Sequence, residues 1–129
     1  MTNWWRRWGP ALAMMILIFA ASGVPGKDMP GFGVWDFLVK KGGHMIGYAM
    51  LSAAWLRGLA NNKSINKSRL ILAIIICALY ASSDEFHQSF TPGRTPKLTD
   101  VGIDAVGATL GALAWTWVKS SLIFRRLPQ

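Results

Sequence analysis

The sequence predicts an all-α protein: a bundle of four membrane-spanning helices with both termini in the cytoplasm. The chain has 129 residues, which allows one domain over residues 1–129. It is 52% hydrophobic and 16% charged, with a mean hydropathy of +0.30. This composition is more apolar than that of an ordinary small soluble domain. The apolar residues form four runs, which predict spans at approximately 8–24, 42–59, 70–90 and 100–118.

The first run follows an aromatic and basic stretch, WWRRW at residues 4–8. Tryptophan and arginine before an apolar run are typical of the membrane–water interface. A cleaved signal peptide is the alternative, because a basic start, an apolar middle and the small residues 20–22 also fit that pattern. Proline and several glycines then predict a loop from Val24 to Lys41.

The second run extends from about Gly42 to Leu59. Gly43 and Gly47 lie four residues apart, and so do the pair formed by His44 and Tyr48. Each pair therefore shares one face of a helix. Small residues at this spacing let two helices approach closely in lipid, so we expect close packing at Gly43 and Gly47.

The third run begins at Leu70, and its purely apolar part is too short to cross a bilayer. The helix reaches the required length only if it continues through Asp84 and Glu85 towards Pro92, where a proline should end it. The two acids then lie at or just inside the membrane interface. A charged side chain at that depth costs free energy unless it is ion-paired, hydrated or part of a functional site.

The fourth run extends from about Asp100 to Val118. An acid in the first turn of a helix complements the helix dipole. The spacing places Asp100, Asp104, Gly107 and Gly111 on one face. We expect Gly107 and Gly111 to be packing residues. Two Gly-x-x-x-Gly faces, one in each of the second and fourth helices, also permit self-association into a homo-oligomer.

The basic residues divide unequally between the two sides of this predicted membrane protein. One side holds five basic residues together with all six acids. The other holds no acid and nine basic residues: Arg6, Arg7, Arg57, Lys63, Lys67, Arg69, Lys119, Arg125 and Arg126. An excess of lysine and arginine marks the cytoplasmic side, so the turn between the third and fourth helices should face outward. The net charge of +8 is spread between apolar runs rather than gathered on one face, and we expect no nucleic-acid partner.

Polar side chains from three helices should meet at the outward end. Three are candidates for acid/base catalysis: Asp84, Glu85 and His44. Five are candidates for ligand binding: Tyr48, Gln88, Arg94, Asp100 and Asp104. An arginine binds phosphate or carboxylate with two parallel hydrogen bonds, so an anionic lipid headgroup is a suitable ligand. We predict no metal and no cofactor.

A purely structural role for these residues is the alternative. Arg94 could neutralise Glu85 or Asp100 and so hold the outer helix ends together. Lys40 and Lys41 are most simply interfacial anchors. His87 and Glu85 are two residues apart on a helix and should point in different directions, so they do not form a metal pair.

The motifs resemble the VanZ-like family of small bacterial membrane proteins. That family carries three elements, which appear here as Lys41-x-x-His44-x-x-x-Tyr48, then Asp84-Glu85-x-x-Gln88-x-Phe90-x-x-x-Arg94, then Asp100 with Gly107-x-x-x-Gly111. Two positions depart from the pattern. Lys40 stands where the family has an acid, and Asp104 stands where it has an asparagine.

The resemblance implies a multi-pass protein of the bacterial inner membrane and cell envelope, in a family whose founding member is associated with reduced susceptibility to teicoplanin. Our leading hypothesis is that the polar cluster binds an anionic membrane lipid or a lipid-linked envelope precursor. The alternative is an enzyme of the outer leaflet that acts on a phospho- or polyprenyl-lipid with acid/base carboxylates and Arg94. Transport fits less well, because the middle of the third and fourth runs lacks an acid or base to relay an ion.

Overall fold

A computed structural model describes residues 4–124, which form four long helices and, within that range, no strand. The helices are α1 (Trp4–Ser22), α2 (Asp36–Ala60), α3 (Lys67–Gln88) and α4 (Leu98–Phe124). Two short 3-10 turns, Gly26–Asp28 and Gly33–Trp35, lie between α1 and α2. The predicted all-α class is confirmed. Two of the cations predicted to lie on the cytoplasmic side, Arg125 and Arg126, are outside the described residues.

Helix α2 begins at Asp36, inside the segment predicted to be a loop up to Lys41, so that part of the prediction is wrong. Asp36 lies in the first turn, where a carboxylate suits the helix dipole, and it pairs with Lys40 one turn later at 2.8 Å. These charged residues extend the helix beyond its apolar run. Helix α4 also extends beyond its apolar run at both ends, from Leu98 to Phe124.

Helix α3 has a clear start and stop. The Asn66 side chain accepts a hydrogen bond from the backbone N–H of Arg69 at 2.9 Å, which is an N-cap. The helix ends at Gln88, shortly before Pro92, as the proline predicts. Glu85 and its neighbour Asp84 therefore lie in the last turns of α3, at one end of the bundle.

Contacts between the helices show that their directions alternate. Gly58 of α2 lies against Trp8 of α1, and Gly47 lies near Ile18, so α1 and α2 are antiparallel. The end of α1 contacts the end of α3 through Ser22. All acids of the chain consequently lie at one end of the bundle, the acidic end. The described cations of the predicted cytoplasmic side, such as Arg6, Arg57 and Lys119, lie at the other, the basic end.

Helices α2 and α4 meet along a seam of small residues. A Cβ atom at Gly107 would overlap the backbone of Met45, and one at Gly111 would overlap the backbone of Ala49. The Ser52 hydroxyl donates to the backbone carbonyl of α4 at Ala108, 2.5 Å away. The prediction that Gly107 and Gly111 are packing residues is confirmed. Their face is already covered by α2 and does not remain open for a second copy of the chain.

The glycines of α2 behave differently. A Cβ at Gly43 would meet nothing within 4 Å, and one at Gly47 would make only an ordinary contact with Ile18 at 3.7 Å. The expected close helix approach at Gly43 is therefore wrong. A Gly-x-x-x-Gly spacing allows close packing, but it needs a partner helix at that face.

Cations at the basic end bond to backbone carbonyls instead of carboxylates. The Arg7 side chain donates to the carbonyl of Gly58 at 2.9 Å, and Arg57 donates to the carbonyl of Arg6 at 2.8 Å. The Gly58 carbonyl lies in the last turn of α2, where helix carbonyls carry a partial negative charge. The Arg6 carbonyl is free to accept, because Pro10 four residues later has no N–H to donate to it. These bonds fasten the first turns of α1 to the last turns of α2.

The core of the bundle is narrow, and much of its outer surface is apolar. Tyr48, Leu51 and the lone cysteine, Cys77, are fully buried. Large apolar side chains such as Leu79 and Trp117 are exposed, by 67% and 72%. Within the described residues, two helices are long and apolar enough to cross a membrane, Lys67–Gln88 and Leu98–Leu122. That test rests on length and composition, and it finds two of the four predicted spans.

Candidate functional site

A cavity of about 420 Å³ lies at the acidic end, between α2, the last turn of α3 and the first turns of α4. We call it the polar cavity. Six of the eight predicted site residues line it: His44, Glu85, Gln88, Arg94, Asp100 and Asp104. Three helices and the turn between α3 and α4 thus bring together residues that are far apart in the sequence.

The other two predicted site residues, Asp84 and Tyr48, do not line this cavity. Asp84 is 2% exposed and accepts hydrogen bonds from the Ser22 hydroxyl at 2.7 Å and the Gln88 amide at 3.2 Å. It therefore ties the end of α1 to α3. Tyr48 is fully buried in the core, and its hydroxyl has no hydrogen-bond partner.

Two of the three cations that line the polar cavity are paired with carboxylates. Lys40 pairs with Asp36 at 2.8 Å, and the hydrogen bond from Lys40 lowers the pKa of Asp36 below its ordinary value. Lys41 pairs with Asp100 of α4. Both lysines therefore take part in ion pairs, a role that their interpretation as interfacial anchors did not include. Asp36 and Lys40 were not among the predicted site residues, and both line the cavity. Their spacing of four residues is the sequence feature that could have indicated the pair.

His44 and Asp104 form a facing pair. Nδ1 of His44 lies 3.6 Å from Oδ2 of Asp104, and Asp104 is only 1% exposed. This distance is longer than a hydrogen bond, and Oδ2 of Asp104 has no hydrogen-bond partner in the described part of the chain, so the buried carboxylate faces the imidazole without fixing the orientation of its ring. Asp104, which departs from the family motif, thus supplies the acid that faces His44.

Arg94 is arranged differently from the two lysines. Its guanidinium donates to the backbone carbonyls of Val24 at 3.3 Å and Ala21 at 3.5 Å. No carboxylate of the described chain lies within ion-pair distance of it. A clasp formed by Arg94 with Glu85 or Asp100 is therefore contradicted. Arg94 instead holds the α3–α4 turn against the end of α1.

Glu85 also lines the polar cavity without an ion pair. Its Oε2 accepts a hydrogen bond from the backbone N–H of Lys97 at 2.9 Å. The neighbouring His87 points elsewhere and stacks on Phe19, with 4.0 Å between the ring centroids. The predicted divergence of Glu85 and His87 is confirmed. In the part of the chain that the structure describes, no three His, Cys, Asp or Glu side chains are grouped to hold a metal ion.

A second cavity, of about 360 Å³, lies between α1, α2 and the segment that connects them. We call it the apolar groove. Most of its lining is apolar and includes Met14, Leu17, Val39 and Gly43. It shares three lining residues with the polar cavity: Lys40, His44 and Arg94. The two cavities are therefore neighbours with a common charged boundary.

Four alternating helices, two of them long and apolar enough to cross a membrane, and a charged cavity at one end are typical of small helical membrane proteins. Residues 8–119 match the VanZ/LLP1 family, and the chain belongs to that family. The resemblance drawn from the motifs is confirmed. Neither the curated proteins nor the solved structures include a significant match.

Proposed function

We propose that this protein is a multi-pass protein of the bacterial inner membrane, whose outward-facing polar cavity binds the anionic headgroup of a lipid or of a lipid-linked envelope precursor. The observation that carries the proposal is that, within residues 4–124, Arg94 has no carboxylate partner. Among the described residues that line the cavity, it is the cation without a carboxylate partner.

The chemistry of the guanidinium favours a phosphate. Lys40 and Lys41 are neutralised by Asp36 and Asp100, so their charges are largely cancelled. Arg94 bonds only to neutral carbonyls, and its positive charge remains available. An arginine can donate two parallel hydrogen bonds to a phosphate, which are shorter and stronger than bonds between neutral groups.

The distribution of charge supports the outward direction of the cavity. The described cations of the basic end include Arg6, Arg57 and Lys119, and no acid lies among them. Lysine and arginine are retained on the cytoplasmic side of bacterial membrane proteins. With the basic end in the cytoplasm, the polar cavity meets the outer leaflet and the headgroups found there.

Native mass spectrometry of the purified protein tests this proposal. We expect the wild type to retain a phospholipid or a polyprenyl phosphate, and the Arg94→Ala variant to lose it. Arg94→Gln removes the charge but keeps a donor for the Val24 carbonyl, so it should also lose the ligand while the fold is preserved. Lys97→Ala is the matched control, because Lys97 is an exposed cation of the same turn outside the cavity. A wild type that carries no lipid would contradict the proposal.

An enzyme of the outer leaflet is the second candidate, and the pair formed by His44 and Asp104 favours it. An imidazole that faces a buried carboxylate is suited to accept a proton, and Glu85 lies in the same cavity as a second acid/base group. In this proposal Arg94 holds the phosphate of the substrate. We assign Asp84 no part in proton transfer, because it does not line the cavity and accepts hydrogen bonds from Ser22 and Gln88.

Catalysis and simple binding differ in what a conservative substitution does. If the protein is an enzyme, Glu85→Gln and His44→Gln should abolish turnover of an envelope lipid while the ligand is still retained. The readout is the lipid composition of cells that express each variant. Unchanged lipids in both variants would leave binding as the function.

We further propose that occupation of the polar cavity modulates glycopeptide susceptibility. This extension rests on the family and on binding of an envelope precursor. Cells that express the wild type should then differ in teicoplanin susceptibility from cells that express Arg94→Ala at the same protein level. Equal susceptibility would contradict this extension and leave lipid binding intact.

A further inference from the structure

The apolar groove and the polar cavity meet at Lys40, His44 and Arg94. We propose that they form one bipartite site, in which the groove holds a hydrocarbon chain of the same lipid whose phosphate lies at Arg94. This inference rests on the proposed function and adds a second part to the ligand. According to this inference, one hydrocarbon chain of the bound lipid lies between α1 and α2.

The shape of the two cavities matches a molecule with a polar and an apolar part. Each cavity, at about 420 and about 360 Å³, falls in the usual size range of ligand sites. The polar cavity is lined by charged groups at one end of the bundle. The groove extends from there towards Met14 of α1 and Gly47 of α2. An occupant must therefore be charged at one end and apolar along its length.

Glycine keeps this groove open. A Cβ at Gly43 meets nothing within 4 Å, so the space above it belongs to the groove. Any larger side chain there would project into that space. Gly47, one turn further along the helix, makes only van der Waals contact with Ile18. The absence of side chains on this face of α2 creates room that no residue of the described chain fills.

Polar contacts hold helix α1 at its two ends and, through the Tyr80 hydroxyl of α3, at its middle, and the apolar groove lies on the α2 side between the two ends. At the acidic end, Ser22 bonds to Asp84 at 2.7 Å. At the basic end, Arg7 bonds to the carbonyl of Gly58 at 2.9 Å. The seam between α2 and α4 is continuous by comparison. A lipid chain that enters between α1 and α2 would complete the packing of this side of the bundle.

Photolabelling with a phospholipid tests the chain site directly. The protein is reconstituted in phosphatidylglycerol vesicles that contain a fraction of the same lipid with a diazirine in one acyl chain. After illumination, mass spectrometry maps the labelled residues. We expect labels at Met14 and Leu17 of the groove to exceed those at Val106 and Leu110, which lie on α4 outside both cavities.

A substitution that fills the groove should remove this preference. We expect Gly43→Phe to reduce the labelling of Met14 and Leu17 about tenfold, a change equivalent to about 1.4 kcal/mol of binding free energy. Gly43→Leu should have a smaller effect in the same direction. Gly102→Phe is the matched control, because Gly102 is an exposed helical glycine with open space around it, and it lines neither cavity.

The outcomes separate this inference from the proposed function. Equal labelling of groove and α4 residues, or labelling that Gly43→Phe leaves unchanged, would overturn the chain site. If Arg94→Gln still abolished lipid retention in that case, headgroup binding would stand alone. A wild type that retains no lipid in native mass spectrometry would overturn both.

Discussion

Two pairs of glycines in this protein have the same spacing and opposite surroundings. Gly107 and Gly111 of α4 lie against the backbone of α2, where even a methyl group would overlap main-chain atoms. Gly43 and Gly47 of α2 border the apolar groove. In the first pair, the missing side chain lets two helices touch. In the second pair, the missing side chain leaves the open space of the apolar groove.

The difference shows that α2 is held to α4 and to α1 by different forces. The α4 side depends on close backbone contact, in which van der Waals packing is the main attraction between helices in lipid. The α1 side combines apolar contacts, such as that of Gly47 with Ile18, with polar bonds at the basic end, such as that from Arg7 to the Gly58 carbonyl. Substitutions on the two sides should therefore have different costs.

The largest expected effect is at Gly111. Gly111→Ala should destabilise the protein by at least about 1–3 kcal/mol, the usual cost of overpacking, because the neighbouring atoms belong to the rigid backbone of Ala49. Gly43→Ala should be neutral or slightly stabilising, since alanine favours helix over glycine by about 0.5–1 kcal/mol. Thermal unfolding in detergent measures both. Equal destabilisation by the two substitutions would contradict the comparison.

A somewhat smaller loss is expected at Asp84, which fastens α1. Asp84→Ala should cost about 1–3 kcal/mol, because the buried Ser22 hydroxyl and Gln88 amide lose their acceptor. Asp84→Asn keeps one acceptor oxygen and should cost less. Hydrogen exchange should show that α1 opens first in Asp84→Ala. Uniform exchange over all four helices would show that α1 does not depend on this bond.

Ser52 tests the polar contribution to the α2–α4 seam. Its hydroxyl donates to the Ala108 carbonyl at 2.5 Å, and Ser52→Ala should cost about 0.5–1.5 kcal/mol. This loss should be smaller than that of Gly111→Ala, since the backbone contacts remain. A loss at Ser52 as large as that at Gly111 would show that hydrogen bonding, and not close packing, holds the seam.

The smallest effect is expected at the exposed pair of Asp36 and Lys40. Since the hydrogen bond from Lys40 lowers the pKa of Asp36, the stabilisation is present at neutral pH and disappears as the pH falls through that lowered pKa. Asp36→Asn should leave the unfolding temperature unchanged, because exposed ion pairs contribute little. A carboxyl NMR titration should show that the pKa of Asp36 rises towards its ordinary value in Lys40→Gln.

Most of the fold could be predicted from the sequence, because apolar runs and Pro92 define the helices locally. The start of α2 was missed for a local reason that hydropathy does not report. Asp36 and Lys40 favour a helix through their charge and spacing, although they lie outside the apolar run. Hydropathy indicates which part of a helix is apolar. The helix itself can extend beyond that part, as α2 does at its start.

The site was harder to predict, because its contacts join residues that are distant in the chain. The motifs indicated His44, Glu85 and Arg94, and all three line one cavity. Their partners could not be deduced from the sequence. Arg94 bonds to carbonyls at the end of α1, and His44 faces Asp104. Such pairings depend on the packing of whole helices.

The burial of Cys77 makes the natural chain a ready background for chemical mapping. Its thiol is fully enclosed, so a hydrophilic maleimide should pass it by, and the native residue need not be replaced. A cysteine placed at the exposed Gly31 should then react in intact cells, whereas one at Ser64 should react only after the cells are permeabilised. The reverse pattern would turn the polar cavity towards the cytosol and redirect the search for its ligand to the inner leaflet.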